Sequence, residues 1–385
     1  VLTEGRGSNA GTVLVNLKDW SEREHSVREV IEELEEACVD IGAVVEFFEP
    51  PAVPGYGAAG GFARAAFDRE AADMAAIIGE PARGQCPMTM ASKHPFDRLT
   101  PDTVLDALDA AGLRGDGRLI TLNSFENRVY QVPLESPFEG HGVVVAKFYR
   151  PQRWSATQIE EEHTFAAELA AAEVPVVAPL TPQGRALHEH AGFFWAVCPR
   201  RGGRRPELDD FEVLEWIGRF LARLHTVGAA RPFAHRPRLD AQRMAREPLQ
   251  WLVDQDVVPL EVQREWREVA AEAVAAVEQH AVLRGEASAN APACIRLHGD
   301  CHPGNILWTP EGAPGAGPHF VDLDDACSGP AVQDLWMLLS GERRQQTQQL
   351  GALLDGYEQF RDFDRRELAL IEPLRTLRLI HYNAW

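Results

Sequence analysis

The sequence predicts an α+β chain in which sheet and helix are segregated, preceded by an extra small α+β segment. Short apolar, β-branched runs separated by turn residues cluster between residues 119 and 199, and from Glu207 onward apolar residues recur mostly at helical spacing. A break in charge sets off the start: residues 1 to about 85 hold 16 acidic and 7 basic residues, so -9 of the chain's net -20 sits there. With 385 residues and 45% hydrophobic content, two or three domains with buried cores are accessible.

In the first segment, Val13, Val15 and Leu17 alternate as a strand, and Val27, Val30, Ile31 and Leu34 repeat as a helix. Residues 86–98 read as a linker, continuing the break-rich Gly79–Gln85, with Met88 and Met90 just inside it. Thr100 then caps a helix that has Pro101 at its first position. Leu119–Leu122, Val129–Pro133 and Val143–Phe148 read as three strands, and Ser155 caps a helix running to about Ala172. Phe193–Pro199 is a further strand. It leads into Arg200–Pro206, where the change to Gly and Arg suggests a hinge with adenine against its backbone, or a small anion or peptide patch, or a solvated linker. Phe211, Leu214, Ile217, Leu221 and Leu224 form one helical stripe ending at His225, read as a packed core residue. Helices follow near 249–253 and 261–280, and more helix begins at Arg365.

The net charge makes nucleic acid and anionic membrane unlikely partners. Six cysteines without C-x-x-C spacing argue against zinc and against a disulfide framework, as suits a reducing cytosol. No apolar run reaches the length of a membrane span. A cytoplasmic monomer is expected.

The most informative stretch is Leu297-His298-Gly299-Asp300-Cys301-His302-Pro303-Gly304-Asn305-Ile306-Leu307-Trp308, followed by Phe320-Val321-Asp322-Leu323-Asp324-Asp325. Asp300 and Asn305 keep the D-x-x-x-x-N spacing of a phosphoryl-transfer loop, in which the Asp orients an acceptor hydroxyl and the Asn holds magnesium. Asp322 stands where a second metal-binding carboxylate belongs. Magnesium takes oxygen ligands and neutralises the β and γ phosphates of ATP, the expected co-substrate, so an amide and a carboxylate suit it. The plainer alternative is a tight polar turn between two buried strands, but such a turn has no reason to collect four carboxylates and two histidines. Upstream, Val145-Ala146-Lys147 gives the context of a phosphate-binding lysine on a third strand. Glu160, Glu161 and Glu162 are candidates for its partner.

The strings HGDCHPGNILW, FVDLDDA and GPAVQDLWMLL resemble the aminoglycoside phosphotransferase and choline kinase superfamily, and within it bacterial Ser/Thr protein kinases of stress response; the likeness runs from about Leu99 to the end. The resemblance implies a two-lobed protein-kinase-like fold, with residues 99–199 as the N-lobe and 200–385 as the C-lobe. It implies Asp300 as catalytic base, Asn305 and Asp322 as magnesium ligands, and a protein Ser/Thr side chain as acceptor. Register against the family favours Glu162 as the partner of Lys147, with Glu160 and Glu161 left as surface charge. Asp324 and Asp325 are second choices as metal ligands, His298 organises the loop backbone, and Asp334 caps a helix and braces the loop. The first hairpin loop, Asn123-Ser124-Phe125-Glu126-Asn127-Arg128, lacks the glycines of a protein-kinase phosphate loop. It resembles the family's own segment, which implies Ser124 as the nucleotide contact, with Asn127 assisting. Open alternatives are a small hydroxyl acceptor of the choline, homoserine or aminoglycoside type, and an inactive binding protein.

Residues 11–23 and 50–62 resemble a fragment of the porter domain of RND-type efflux transporters, so residues 1–85 are expected to be a passenger without transport function. Relatives continue for several helical turns beyond Trp385, so a C-terminal truncation is expected.

Overall fold

Thr100 opens the first helix as the sequence predicts. Its hydroxyl accepts from the Thr103 amide at 3.2 Å, and Pro101 takes the first position of α1 (Pro101–Ala110). The computed structural model describes residues 95–384 except 123, 125, 287–290 and 314. The efflux-transporter-like segment and most of the linker lie outside the described residues.

A five-stranded antiparallel sheet follows, built from β1 (Ile120–Leu122), β2 (Arg128–Phe138), β3 (His141–Phe148), β4 (His188–His190) and β5 (Phe193–Pro199), in the order β1-β2-β3-β5-β4. β2 runs five residues beyond the predicted Pro133, because Glu139 and Gly140 turn it directly into β3 through positive φ. The register pairs Lys147 with Val129 on one side and with Ala196 on the other, so the lysine sits mid-sheet. Behind it, Phe148 stacks on Trp195 at 5.7 Å. Phe96, assigned to the linker by sequence, is buried and stacks on Phe193 at 5.9 Å, so this core reaches back into the predicted linker.

Between β3 and β4 lies α2 (Ala156–Ala171). Ser155 and Gln158 form a capping box at its start, and Ile159, Glu162, Phe165 and Leu169 make its buried face. In the Arg200–Pro206 stretch, Arg200 bonds Gln131, Arg201 bonds the Gly315 carbonyl, and Arg204 pairs with Glu207.

The second part is mainly helical: α3 (Phe211–Ala229), α4 (Glu247–Asp254), α5 (Gln263–Val277), α6 (Gln333–Trp336), α7 (Arg343–Tyr357) and α8 (Ile371–Asn383). α3 packs Leu214, Ile217, Leu221 and Leu224 of its predicted stripe into a core shared with Leu350, Leu353 and Tyr357 of α7, while Phe211, the first residue of that stripe, is exposed. Two short antiparallel ladders are set into this core, β6 (Ile295–Leu297) with β9 (Cys327–Gly329), and β7 (Ile306–Thr309) with β8 (Gly317–Phe320). Their connections carry the sequence's two key motifs. The parts are joined by backbone bonds from Val177 to the Phe320 carbonyl (3.0 Å) and from Phe320 to the Pro175 carbonyl (2.8 Å).

Candidate active site

The loop between β6 and β7 is shaped first by Gly299. Its φ is +86°, and a Cβ there would lie 2.0 Å from the Asp325 carbonyl oxygen, so only glycine lets the two motifs approach. Asp334, fully buried on α6, accepts from the His298 and Gly299 amides, both at 2.8 Å. His225 and Tyr357 extend this network at 3.1 and 2.9 Å. His225 is therefore a buried, hydrogen-bonded brace. Asp334 braces the loop as expected but caps nothing: it lies inside α6, whose N-cap is Val332. His298 organises the backbone, its Nε2 donating to the Val321 carbonyl at 2.9 Å.

This scaffold presents Asp300 beside Asn305, whose Nδ2 donates to the Asp300 carbonyl at 3.0 Å. Burial would raise the Asp300 carboxyl's pKa, but the Arg378 guanidinium, followed by His302 and His298, outweighs it and holds it below the ordinary value. Cys301 beside it is fully buried, and burial pushes its thiol well up, so it is chemically quiet.

After β8 the chain turns at Asp322, which adopts a left-handed conformation (φ 61°, ψ 67°). A non-glycine residue there is uncommon and typical of functional sites. The turn directs Asp322 at Lys147, with Nζ 2.7 Å from Oδ1, while buried Asp324 meets the same ammonium at 2.8 Å. Burial would lower the pKa of Lys147; Asp322 and Asp324 together hold it well above its ordinary value. The sequence paired Lys147 with Glu162. Among the described residues no ion pair joins them, because the left-handed turn delivers Asp322 to the lysine instead. Glu162 is nonetheless buried close by, its pKa pushed up to about 7 by burial and by Asp324, while Lys147 opposes the rise.

Ser124 lies half-buried in the β1–β2 loop, where the sequence put it. Asn127 does not point freely toward a phosphate position: its Nδ2 donates to Asp324, and its Oδ1 accepts from the Arg150 amide at 3.1 Å. Glu126 and Asp325 are bridged by Arg153. Thus the loop that lacks glycines is tied by side chains to the Asp322–Asp325 segment. Glu161 is not plain surface charge, since its carboxylate accepts from the amides of Ala234, His235 and Arg236.

Asn305 and Asp322 offer an amide and a carboxylate, hard oxygen donors suited to magnesium, which completes its shell with phosphate oxygens and water. No group of three or more His, Cys, Asp and Glu side chains placed to hold a metal ion occurs among the described residues. Such a cluster is not needed where substrate supplies the remaining ligands.

A mid-sheet lysine, a braced Asp-x-x-x-x-Asn loop and a strained Asp on the following turn define a kinase-like phosphotransferase. The chain belongs to the phosphotransferase enzyme family (APH), whose family model matches residues 119–371. It is 45% identical over 294 residues to stress response kinase A of Escherichia coli (strain K12), covering 76% of this chain and 84% of that one. It is 44% identical over 290 residues to the serine/threonine protein kinase RdoA of Salmonella typhimurium (strain LT2), covering 75% and 83%. Among solved structures, the fold matches an amicoumacin kinase in complex with AMP-PNP, Ca2+ and Ami, with a TM-score of 0.61, 19% identity, and 76% of this chain and 88% of that one covered. It also matches a microcompartment-associated aminopropanol kinase, with a TM-score of 0.55, 21% identity, and 73% and 88% covered. No helix among the described residues is long and apolar enough to cross a membrane.

Proposed function

We propose that this chain is an ATP- and magnesium-dependent Ser/Thr protein kinase of the cytoplasm, similar in activity to the stress response kinases it resembles. The observation that carries the proposal is the approach of Lys147 on β3 to Asp322 after β8, beside the β6–β7 loop that holds Asp300 and Asn305. Asn305 and Asp322 would hold magnesium, which supplies charge neutralisation on the β and γ phosphates when bound. Lys147, released from its pair with Asp322 as the phosphates take over, holds the α and β phosphates. Glu162 supports it from α2, and Ser124 contacts the nucleotide from the β1–β2 loop. Asp300 orients the acceptor hydroxyl and accepts its proton. The protein contributes mainly position and charge, which is the larger part of phosphoryl-transfer catalysis. A protein acceptor is favoured by the 44% identity to a relative named as a serine/threonine protein kinase.

The test is magnesium-dependent transfer of label from γ-labelled ATP to the chain itself, to a generic basic protein and to a panel of small alcohols. Label on protein is the expected result. Label confined to a small alcohol would replace the Ser/Thr assignment with a metabolite or antibiotic kinase, and nucleotide binding without any transfer would leave a binding protein.

A further inference from the structure

The C-terminal helix α8 supplies the catalytic loop with a residue that the loop's own sequence does not announce. Arg378, its side chain 10% exposed, places Nη1 2.7 Å from Asp300 Oδ1. Its Nη2 donates to the Tyr382 hydroxyl at 2.9 Å, one turn further along α8, and the guanidinium carbon lies 4.7 Å from the centre of that ring. The fork is therefore fixed on both sides. Leu374, Leu377 and Ile380 are almost fully buried and anchor α8 in the core, so the position of Arg378 is set by packing. The second oxygen of Asp300 is held far less firmly: Oδ2 has His302 Nε2 at 3.5 Å and Asn305 Nδ2 at 3.4 Å, both at or near the limit of a useful hydrogen bond. The ion pair with Arg378 is thus the shortest of these side-chain contacts to the Asp300 carboxylate.

We infer that Arg378 is a positioning residue for phosphoryl transfer: its packed guanidinium pairs with the Asp300 carboxylate and keeps it in place for the acceptor hydroxyl, which makes α8 part of the catalytic apparatus. The inference rests on the phosphotransferase reading. A guanidinium held by packing keeps its charge at a fixed point beside the carboxylate, which a flexible lysine at the same point does only in part. Misplacing a reacting group by about 1 Å can cost about 10²-fold in rate.

The experiment is a double-mutant cycle on the full chain with Arg378→Met, Asp300→Asn and the double variant, together with Arg378→Lys and Tyr382→Phe, reading phosphate transfer and denaturant unfolding in parallel. Arg378→Met is expected to lower kcat by about 10²-fold, with KM for ATP unchanged. Arg378→Lys should recover part of that loss. In the Asp300→Asn background, removing Arg378 should cost nothing further, because its effect passes through Asp300. If Arg378→Met fails to fold, Tyr382→Phe, which frees one side of the guanidinium and leaves the ion pair in place, should still lower kcat and not raise KM. Multiplicative losses in the two single variants, or a change in KM alone, would overturn the inference while leaving the phosphotransferase reading intact. Absence of transfer by the wild type would overturn that reading. The unfolding cycle reports the Arg378–Asp300 coupling in either case, and additive unfolding energies would show that Arg378 does not hold Asp300.

Discussion

Lys147 and Asp322, 175 residues apart in sequence, meet at 2.7 Å, the lysine from the middle of the sheet and the aspartate from a left-handed turn in the helical part. This contact closes the site across its two parts. Replacing Lys147 with Met leaves Asp322 and Asp324 facing each other without a cation and removes the phosphates' ligand. The expected outcome is at least about a tenfold loss of ATP affinity, equivalent to about 1.4 kcal/mol, read by nucleotide-binding titration. Unchanged affinity would remove Lys147 from the nucleotide site.

Asp334 serves two amides of the catalytic loop and His225 from a fully buried position. Asp334→Ala strands both amides, at about 1–3 kcal/mol each. A large fall in the unfolding midpoint is expected, with a smaller one for Asp334→Asn, which keeps one acceptor. Equal midpoints for wild type and Asp334→Ala would show that the loop does not depend on this brace.

Stability should carry a pH signature from Glu367, buried under α6 and accepting from the Val332 amide at 2.8 Å. Burial pushes its carboxyl up to about 7, against the opposing Val332 hydrogen bond. The unfolded chain releases this proton near the ordinary glutamate value and the folded chain keeps it to about 7, so the folded state binds more protons in between and loses stability as pH rises through that window. His163 and His381, lowered to about 4 by burial, act in the opposite sense between about 4 and 6.5. The contribution of Glu367 is therefore isolated by comparison: from pH 5 to 7.5, wild type should lose stability relative to Glu367→Gln. Parallel profiles for the two proteins would refute the shift.

All proposed site residues lie between Ser124 and Arg378, and the proposed kinase region begins near residue 88. Removing residues 1–87 is expected to preserve turnover. Loss of folding on that deletion would make the first segment an integral part of the protein.

Legibility followed the range over which each feature is encoded. Asp300, Asn305 and Asp322 could be proposed because two short local motifs at the ends of the ladders carry them, and Lys147 because its Val-Ala-Lys context lies on a readable strand. The Thr100 and Ser155 caps and the α3 stripe are local in the same sense. Arg378, the Asn127–Asp324 clamp and the Glu161 contacts could not be read, since each joins segments with no shared periodicity, and one arginine on α8 looks like any other. The left-handed turn at Asp322 could not be read either, because aspartate tolerates such a turn without demanding it and glycine, the strong signal, is absent there. Without it the natural partner for Lys147 was Glu162.

The most direct test of the central claim compares single-turnover phosphate transfer by wild type and Asp300→Asn, with ATP binding measured on the same samples. Loss of a positioned general base costs about 10²–10⁴-fold. A fall of that size with ATP affinity retained is the expected result. Transfer by Asp300→Asn within about tenfold of wild type, short of that range, would contradict it.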